Sequence, residues 1–463
     1  MVAGVSGSFR ARLAWLTLLG LAVRALWVAV EPATSPQADE TMWLTWGTEV
    51  LPSPDVAFSP LALRFIFHPP LYLYFLGVPF ALTGSLEALK YLQCVAGALL
   101  VPAVGLLGLR SFEEPAGERA GLLAALFAAL YPELVWFAAH FWAETLFTVL
   151  LWWAIERLVA SDAGGSSVAA VGAGLLWGLS VLTRETVLYF VPLAALWLAW
   201  RRPGGFRRAA LFVCASLLVV TPWTVRNFRV FGAFVPVSTA GALNLWQGNT
   251  RLSREQVYEE HWAVHGRIAQ YEHARSRALE AILERQPLWI FEKLRSELPE
   301  FWAAHAQPIV HVERGAYGPV KRPLALAAVA IVLGPYLAAL VLFVLGVASP
   351  GLGRPAALVL GFLAFYVLLH VVAHGYPRYR LPVMPAVLLL AAHGLAWWSA
   401  RPRRALERRQ LQAALAIGFV LALSVAPSLV GWFTKPWPPP WFEGMGVESG
   451  HETPPGDEAP EGR

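Results

Sequence analysis

The stretch SPQADETMWLTWG, residues 35–47, sets two acids side by side, Asp39 and Glu40, just after an apolar run. A carboxylate can take a proton from an attacking hydroxyl or amine. Other ionisable residues stand at the edges of later apolar runs: Arg64, His68, Glu133, His140, Glu144, Arg184, Glu185, His374, Arg378 and Arg380. Arginine binds phosphate through paired hydrogen bonds and offsets charge growing on a phosphate leaving group. Carboxylates alongside arginines therefore suggest proton abstraction beside a phosphate. Group transfer from a lipid phosphate, acyl transfer from phospholipid and phosphatase chemistry would all use these parts.

The elements that must position these groups follow from composition. The chain is 57% hydrophobic and only 14% charged, too apolar for an ordinary soluble protein. A helix needs roughly 20 apolar residues to cross a bilayer. Eleven candidate spans fall near 12–30, 87–109, 119–138, 141–159, 165–183, 185–200, 208–225, 324–348, 355–374, 380–399 and 411–432. The first is expected to be retained, because no small-residue cleavage site precedes Glu31. PPLYLYFLGVPFALTG (69–84) is short and Pro-flanked, which suits a helix lying at the membrane interface. The reading is an all-α polytopic membrane protein.

Loop charges orient it. With the N-terminus cytoplasmic, the inner loops include RRPGGFRR, with four arginines, and ARPRRALERRQ, with five, as the positive-inside rule prefers. The net charge of +5 is thus a topology signal, and no nucleic-acid partner is expected. Residues 1–225 form an N-terminal transmembrane domain whose first outer loop is 31–86. Residues 226–322 form a helical outer loop, 323–432 the C-terminal spans, and 433–463 a Pro-, Gly- and acid-rich tail expected to be disordered. Ser253 with Gln256 reads as a capping box opening a helix through about Arg285. A second helix runs from about Leu288, and the pair is expected to cover the outer face. The acids, histidines and arginines singled out above all sort to that face, so the site is one-sided. Arg24, the deepest charge, is expected to snorkel outward.

Together ADETMW, HPPLYLYFLGVPFALTG, LLGLRSF, LYPELVWFAAHFWAETLFTVLLWW, GLSVLTRETVLYFVPL, PWTVRNFRVFGAFVPVSTAGALNLWQGN and PRYRLPVMPAVLLLAA resemble, in order, the GT-C glycosyltransferases. The likeness is to bacterial members of the dolichyl-phosphate-mannose protein mannosyltransferase and aminoarabinose transferase type, over roughly 12–400. It implies a membrane enzyme that moves a sugar from a polyprenyl-phosphate carrier to an acceptor at the extracytoplasmic face, typically with inversion. Asp39 matches the acid regarded as the catalytic base, with Glu40 completing the acidic pair. Glu144 matches a second acidic position. His68 stands where relatives have a lysine that meets the lipid phosphate, and must be protonated to replace its charge. Arg184 borders the cavity, and Arg378 and Arg380 match a motif suited to phosphate contact. A bacterial inner membrane with a periplasmic site is the implied setting.

Plainer roles stand beside these. Asp39, Glu40 and Glu144 could cap helices, and Arg378 and Arg380 could anchor at headgroup level with Tyr376 and Tyr379. Two further functions compete, a lipid-linked sugar flippase and a non-catalytic scaffold for envelope assembly. No P-loop, GxGxxG unit, CxxC pair or HExxH occurs, so no cofactor is expected. Some members of the wider superfamily need a divalent cation held by acids, so one is possible, but acids without diagnostic ligand spacing do not indicate it here and no metal is assigned. The expected partners are a polyprenyl-phosphate sugar, membrane lipids and an acceptor that is a glycan, lipid or protein.

Overall fold

The computed structural model describes residues 6–32, 34, 36, 39–50, 65–113, 116–318, 320–400 and 407–434. Arg64, part of the ARPRRALERRQ loop and the tail from 435 onward lie outside them. Among the described residues the chain is all-helical, with one isolated bridge, Phe112 to Leu352. Seven helices are long and apolar enough to cross a bilayer: Gly7–Val30, Leu86–Ser111, Gly205–Phe231, Pro323–Ala348, Arg354–Val372, Pro377–Ser399 and Arg408–Gly431. The remaining four expected spans are helical but shorter or more polar: Ala116–Leu130, Glu144–Gly164, Ser167–Thr183 and Glu185–Ala199. The protein is an all-α polytopic membrane protein.

Local chemistry sets the helix ends. The hydroxyls of Ser6, Ser85 and Ser166 each accept a backbone N–H from the first turn they cap, satisfying a donor that would otherwise be orphaned. Gly165, at φ 66°, ends Glu144–Gly164 and passes directly to the Ser166 cap, making a tight helical hairpin. Leu71–Thr83, expected at the interface, is a 13-residue helix. At about 1.5 Å per residue it reaches only about 20 Å, short of a bilayer core.

The bundle is layered around Glu144–Gly164 and Pro377–Ser399. In the apolar stretch of Pro377–Ser399, 89% of the residues are buried, against 17% in Gly7–Val30 and 22% in Arg408–Gly431. The outer helices turn Trp15, Leu18, Leu26, Leu415, Phe419 and Leu423 away from the protein, the surface a lipid would cover. Helices cross closely where glycine removes the side chain. A Cβ on Gly346 would run into the Leu390 carbonyl oxygen, and one on Gly394 would lie 2.5 Å from that of Leu342.

Two buried indoles pin the irregular turns. Trp152 Nε1 donates to Pro382 O at 2.8 Å and Trp177 Nε1 to Val187 O at 3.0 Å. They thereby hold the 3-10 turns Pro377–Val383 and Glu185–Phe190, each of which begins beside an arginine of interest.

Two expectations need correction. The capping box at Ser253 and Gln256 is present, but the helix does not run to Arg285. It ends at Ala263, and a new helix, Arg267–Leu283, begins after Gly266 at φ 92°, a left-handed backbone only glycine takes cheaply. Arg24 does not snorkel. It is fully buried, and its guanidinium donates to the carbonyls of Gly20, Ala128 and Ala129 at 2.9–3.1 Å. Of the two helices expected as a cover, Trp289–Trp302 packs against the Arg354–Val372 and Arg408–Thr434 helices and the Pro377–Val383 turn, whereas Arg267–Leu283 packs chiefly against Ala240–Asn249.

The Gly346 crossing is testable by thermal unfolding in nanodiscs. Gly346→Val should cost about 1–3 kcal/mol or more by overpacking. Gly334→Ala in the same helix, where an added Cβ meets nothing within 4 Å, should leave the unfolding temperature unchanged or raised.

Candidate active site

Four helix ends meet at one end of the bundle. Asp39 opens the Asp39–Leu44 helix, and Glu144 opens Glu144–Gly164. Arg184, in extended backbone at φ −148°, links Ser167–Thr183 to its 3-10 turn. Arg378 is the second residue of the Pro377–Val383 turn.

Their side chains form one chain of charge. Arg378 Nη2 donates to Asp39 Oδ2 at 2.9 Å, and its Nε lies 3.2 Å from Glu144 Oε1. Arg184 Nη2 donates to that same Glu144 oxygen at 2.7 Å. The Arg378 guanidinium rests 4.3 Å over the Trp142 ring, and that of Arg184 lies 5.5 Å from the Tyr379 ring. Two carboxylates thus alternate with two guanidiniums, and the aromatic faces support the cations.

Exposure separates the two acids. The Asp39 side chain is 42% exposed, Glu144 only 1% and Arg378 10%. An incoming group can reach Asp39, whereas Glu144 holds both arginines from behind. Burial works to raise the Asp39 carboxyl, but Arg378 foremost, then His68 and Arg184, outweigh it and hold it below the ordinary carboxylate value.

The other expected residues fall elsewhere. Glu40 turns away from Asp39: its Oε1 accepts the Phe141 N–H at 2.8 Å and lies 3.5 Å from His140 Nδ1. Arg380 is fully buried and donates to the carbonyls of Ala303 and His305, both at 2.6 Å, with Glu133 at 3.6 Å. Its hydrogen bonds tie the turn to the large loop, so the structure does not bring it to the Asp39 cluster. His68 is ringed by Trp43, Phe65 and Phe67 and lies close enough to Asp39 for their charges to interact. Burial, helped by Arg184 and Arg378, pushes its imidazole down to about 4. At neutral pH it is uncharged and offers one N–H donor rather than the cation expected of it.

Sequence reasoning missed two neighbours. Arg254, at the start of the Arg254–Ala263 helix, lies near enough to Asp39 and Tyr379 to feel their charges. Nothing in its local sequence marks it. Trp142 supports Arg378 from two positions before Glu144. It is buried and serves the cation, leaving no face for a sugar.

Residues 67–225 match the family model described as dolichyl-phosphate-mannose-protein mannosyltransferase. Over these residues the match bears out the resemblance to the dolichyl-phosphate-mannose protein mannosyltransferase type. It contains His68, Glu144 and Arg184, whereas Asp39 and Arg378 lie outside it. No curated protein matches the chain by sequence. Among solved structures the chain is similar to the oligosaccharyltransferase AglB from Archaeoglobus fulgidus, solved with an inhibitory peptide and a dolichol-phosphate. There the TM-score is 0.47 with 15% identity, over 91% of this chain and 56% of that one. It is also similar to ArnT from Cupriavidus metallidurans bound to undecaprenyl phosphate, with TM-score 0.39 and 14% identity over 90% and 78% of the two chains. The arabinofuranosyltransferase AftD from Mycobacteria gives TM-score 0.43 and 17% identity over 93% and 28%. The chain spans little more than half the length of the archaeal enzyme.

The state of His68 can be read by NMR of the ring-labelled protein. Its imidazole should titrate at about 4 and not near the ordinary 6.5. A midpoint near 6.5 that disappears in His68→Gln would show that the ring carries charge close to neutrality.

Proposed function

We propose that this chain, whose first half carries the mannosyltransferase-type match, is an integral-membrane glycosyltransferase. It moves a sugar from a polyprenyl-phosphate carrier to an acceptor, with the Asp39 end of the bundle facing the extracytoplasmic side. The observation that carries this reading is a part-exposed carboxylate, Asp39, held 2.9 Å from a buried arginine that is itself fixed by Glu144.

The proposed steps use those groups in order. An acceptor hydroxyl or amine attacks the anomeric carbon while Asp39 takes its proton. The bond from that carbon to the phosphate oxygen breaks, and the electron pair leaves with the polyprenyl phosphate. Arg378 and Arg184 offset the charge gathered on the leaving phosphate. Attack opposite the phosphate inverts the anomeric configuration. Glu144 is a positioning residue that keeps both guanidiniums aimed at one place. Arg380 positions the turn through backbone carbonyls. His68 contributes a neutral N–H donor beside the phosphate. Because the donor carries its own activation, no nucleotide site is required.

A flippase would need polar groups along the length of the bundle. Among the described residues, Arg24 lies deep, bound to backbone carbonyls. Glu133 with Arg380 and His140 with Glu31 and Glu40 lie at the Asp39 end, whereas Glu156 with Arg110 and Arg157 and Asp162 with Arg202 and Arg354 lie toward the other. That separation favours a one-sided site.

The test uses the full chain in nanodiscs with a panel of polyprenyl-phosphate sugars, measuring free polyprenyl phosphate with and without an envelope extract as acceptor. Extract-dependent release should fall about 100- to 10,000-fold in Asp39→Asn, the range expected for losing a general base. Because Asp39 is held below its ordinary value of 3.8, wild-type activity should be lost only as pH falls through that acidic region. Equal release from wild type and Asp39→Asn would remove Asp39 as base. Lipid crossing liposome membranes without release would favour the flippase.

A further inference from the structure

A second cluster lies behind the acidic pair, on the side to which Glu40 turns. Glu40, His140 and His311 are all buried, and each directs one potential ligand atom so that the three lie within 4.8 Å of one another. They come from three distant segments: the Asp39–Leu44 helix, the turn before Glu144 and the Gln307–Glu313 helix of the large loop.

Both imidazoles are oriented by outer partners. His311 Nδ1 lies 3.1 Å from the Gln307 carbonyl, which can only accept. Its proton is therefore on Nδ1, and Nε2 carries a lone pair. That nitrogen is buried without a hydrogen-bond partner. His140 Nε2 lies 2.9 Å from Glu31 Oε1. A proton shared there leaves Nδ1 facing the Glu40 carboxylate at 3.5 Å. Glu31 also accepts from the Tyr317 hydroxyl at 2.9 Å, and that hydroxyl accepts from Trp136 Nε1 at 2.8 Å. Histidine with its far nitrogen bound to a carboxylate or a carbonyl is the arrangement that presents a metal-binding lone pair. Two imidazoles and a carboxylate converging on one buried point are held together either by a cation between them or by a proton on His140, and the geometry at Nε2 of His311 fits the cation.

We propose that Glu40, His140 and His311 bind a divalent transition-metal ion of the zinc class. Two imidazoles and one carboxylate suit zinc, whereas magnesium and calcium prefer oxygen alone. Donor atoms about 2.1 Å from a tetrahedral zinc stand roughly 3.4 Å apart. The Glu40–His140 separation already has that value, and His311 closes the remaining gap by a small side-chain shift. Three protein ligands leave a fourth position for water. The ion clamps the Gln307–Glu313 helix to the backbone that carries Asp39 on one side and Glu144 on the other, which makes it a positioning device for the acid cluster. The sequence shows no ligand spacing because the three ligands lie about 100 and 170 residues apart along the chain.

The full chain in nanodiscs, stripped with a chelator, is titrated with Zn2+ alone and with Co2+ alone. Metal content decides the outcome whether or not sugar transfer is found. The expected result is one Zn2+ per chain and the intense visible bands of four-coordinate Co2+. Binding should be lost in His311→Ala and Glu40→Gln, weakened about 10- to 100-fold in Glu31→Gln, and retained in His261→Ala, a buried histidine outside the cluster. Uptake of no Zn2+ by the stripped wild type would overturn the proposal, the cavity then being balanced by a proton on His140. Full stoichiometry in both ligand variants would overturn it equally. Should His311→Ala fail to fold, the wild-type Co2+ spectrum decides alone, and a pale six-coordinate spectrum refutes the site.

Discussion

A guanidinium buried where helices end must be matched by anions, and Arg378 sets that condition for one end of this molecule. Removing one partner of a buried pair typically costs about 3–5 kcal/mol, because the other charge is left without compensation. Asp39 and Glu144 supply the compensation from two separate helix starts, and Glu144 in turn fixes Arg184. The geometry of any phosphate site here is inherited from this requirement. Glu144 stays behind the arginines, and Asp39 takes the accessible edge.

The buried tryptophans explain why irregular backbone survives there. A 3-10 turn beside a membrane span leaves carbonyls that no helix neighbour satisfies. The indole N–H groups of Trp152 and Trp177 bind two of them, and Trp142 gives Arg378 an electron-rich face. The chain carries 21 tryptophans, a residue type that commonly anchors at membrane interfaces. These three instead act inside the bundle as supports for the turns and for the cation.

Neighbours in sequence part company for simple geometric reasons. Successive helical residues are rotated by about 100°, so Asp39 and Glu40 serve different clusters although they were read as a pair. Two residues apart in a 3-10 turn, Arg378 and Arg380 face in divergent directions. One meets the acids, while the other reaches the carbonyls of Ala303 and His305. His68 was read as a phosphate contact that needed protonation, and burial together with Arg184 and Arg378 keeps it neutral. The break at Gly266 went unread because charge and apolar spacing continue through it. Arg254 carried no local mark at all.

The amino-acid sequence by itself determined the all-helical membrane architecture, the helix start at the Ser253 capping box, and the gathering of ionisable residues at helix ends. The physical reason is cost: charge is too expensive to spread along an apolar span, so its positions are legible in one dimension. Tertiary structure decided which of those ends meet. Asp39, Glu144, Arg184 and Arg378, like Glu40, His140 and His311, come from segments far apart in the chain and meet only where separate helix ends pack together. Their side-chain directions depend on fractions of a helical turn, which composition and spacing along the chain do not encode.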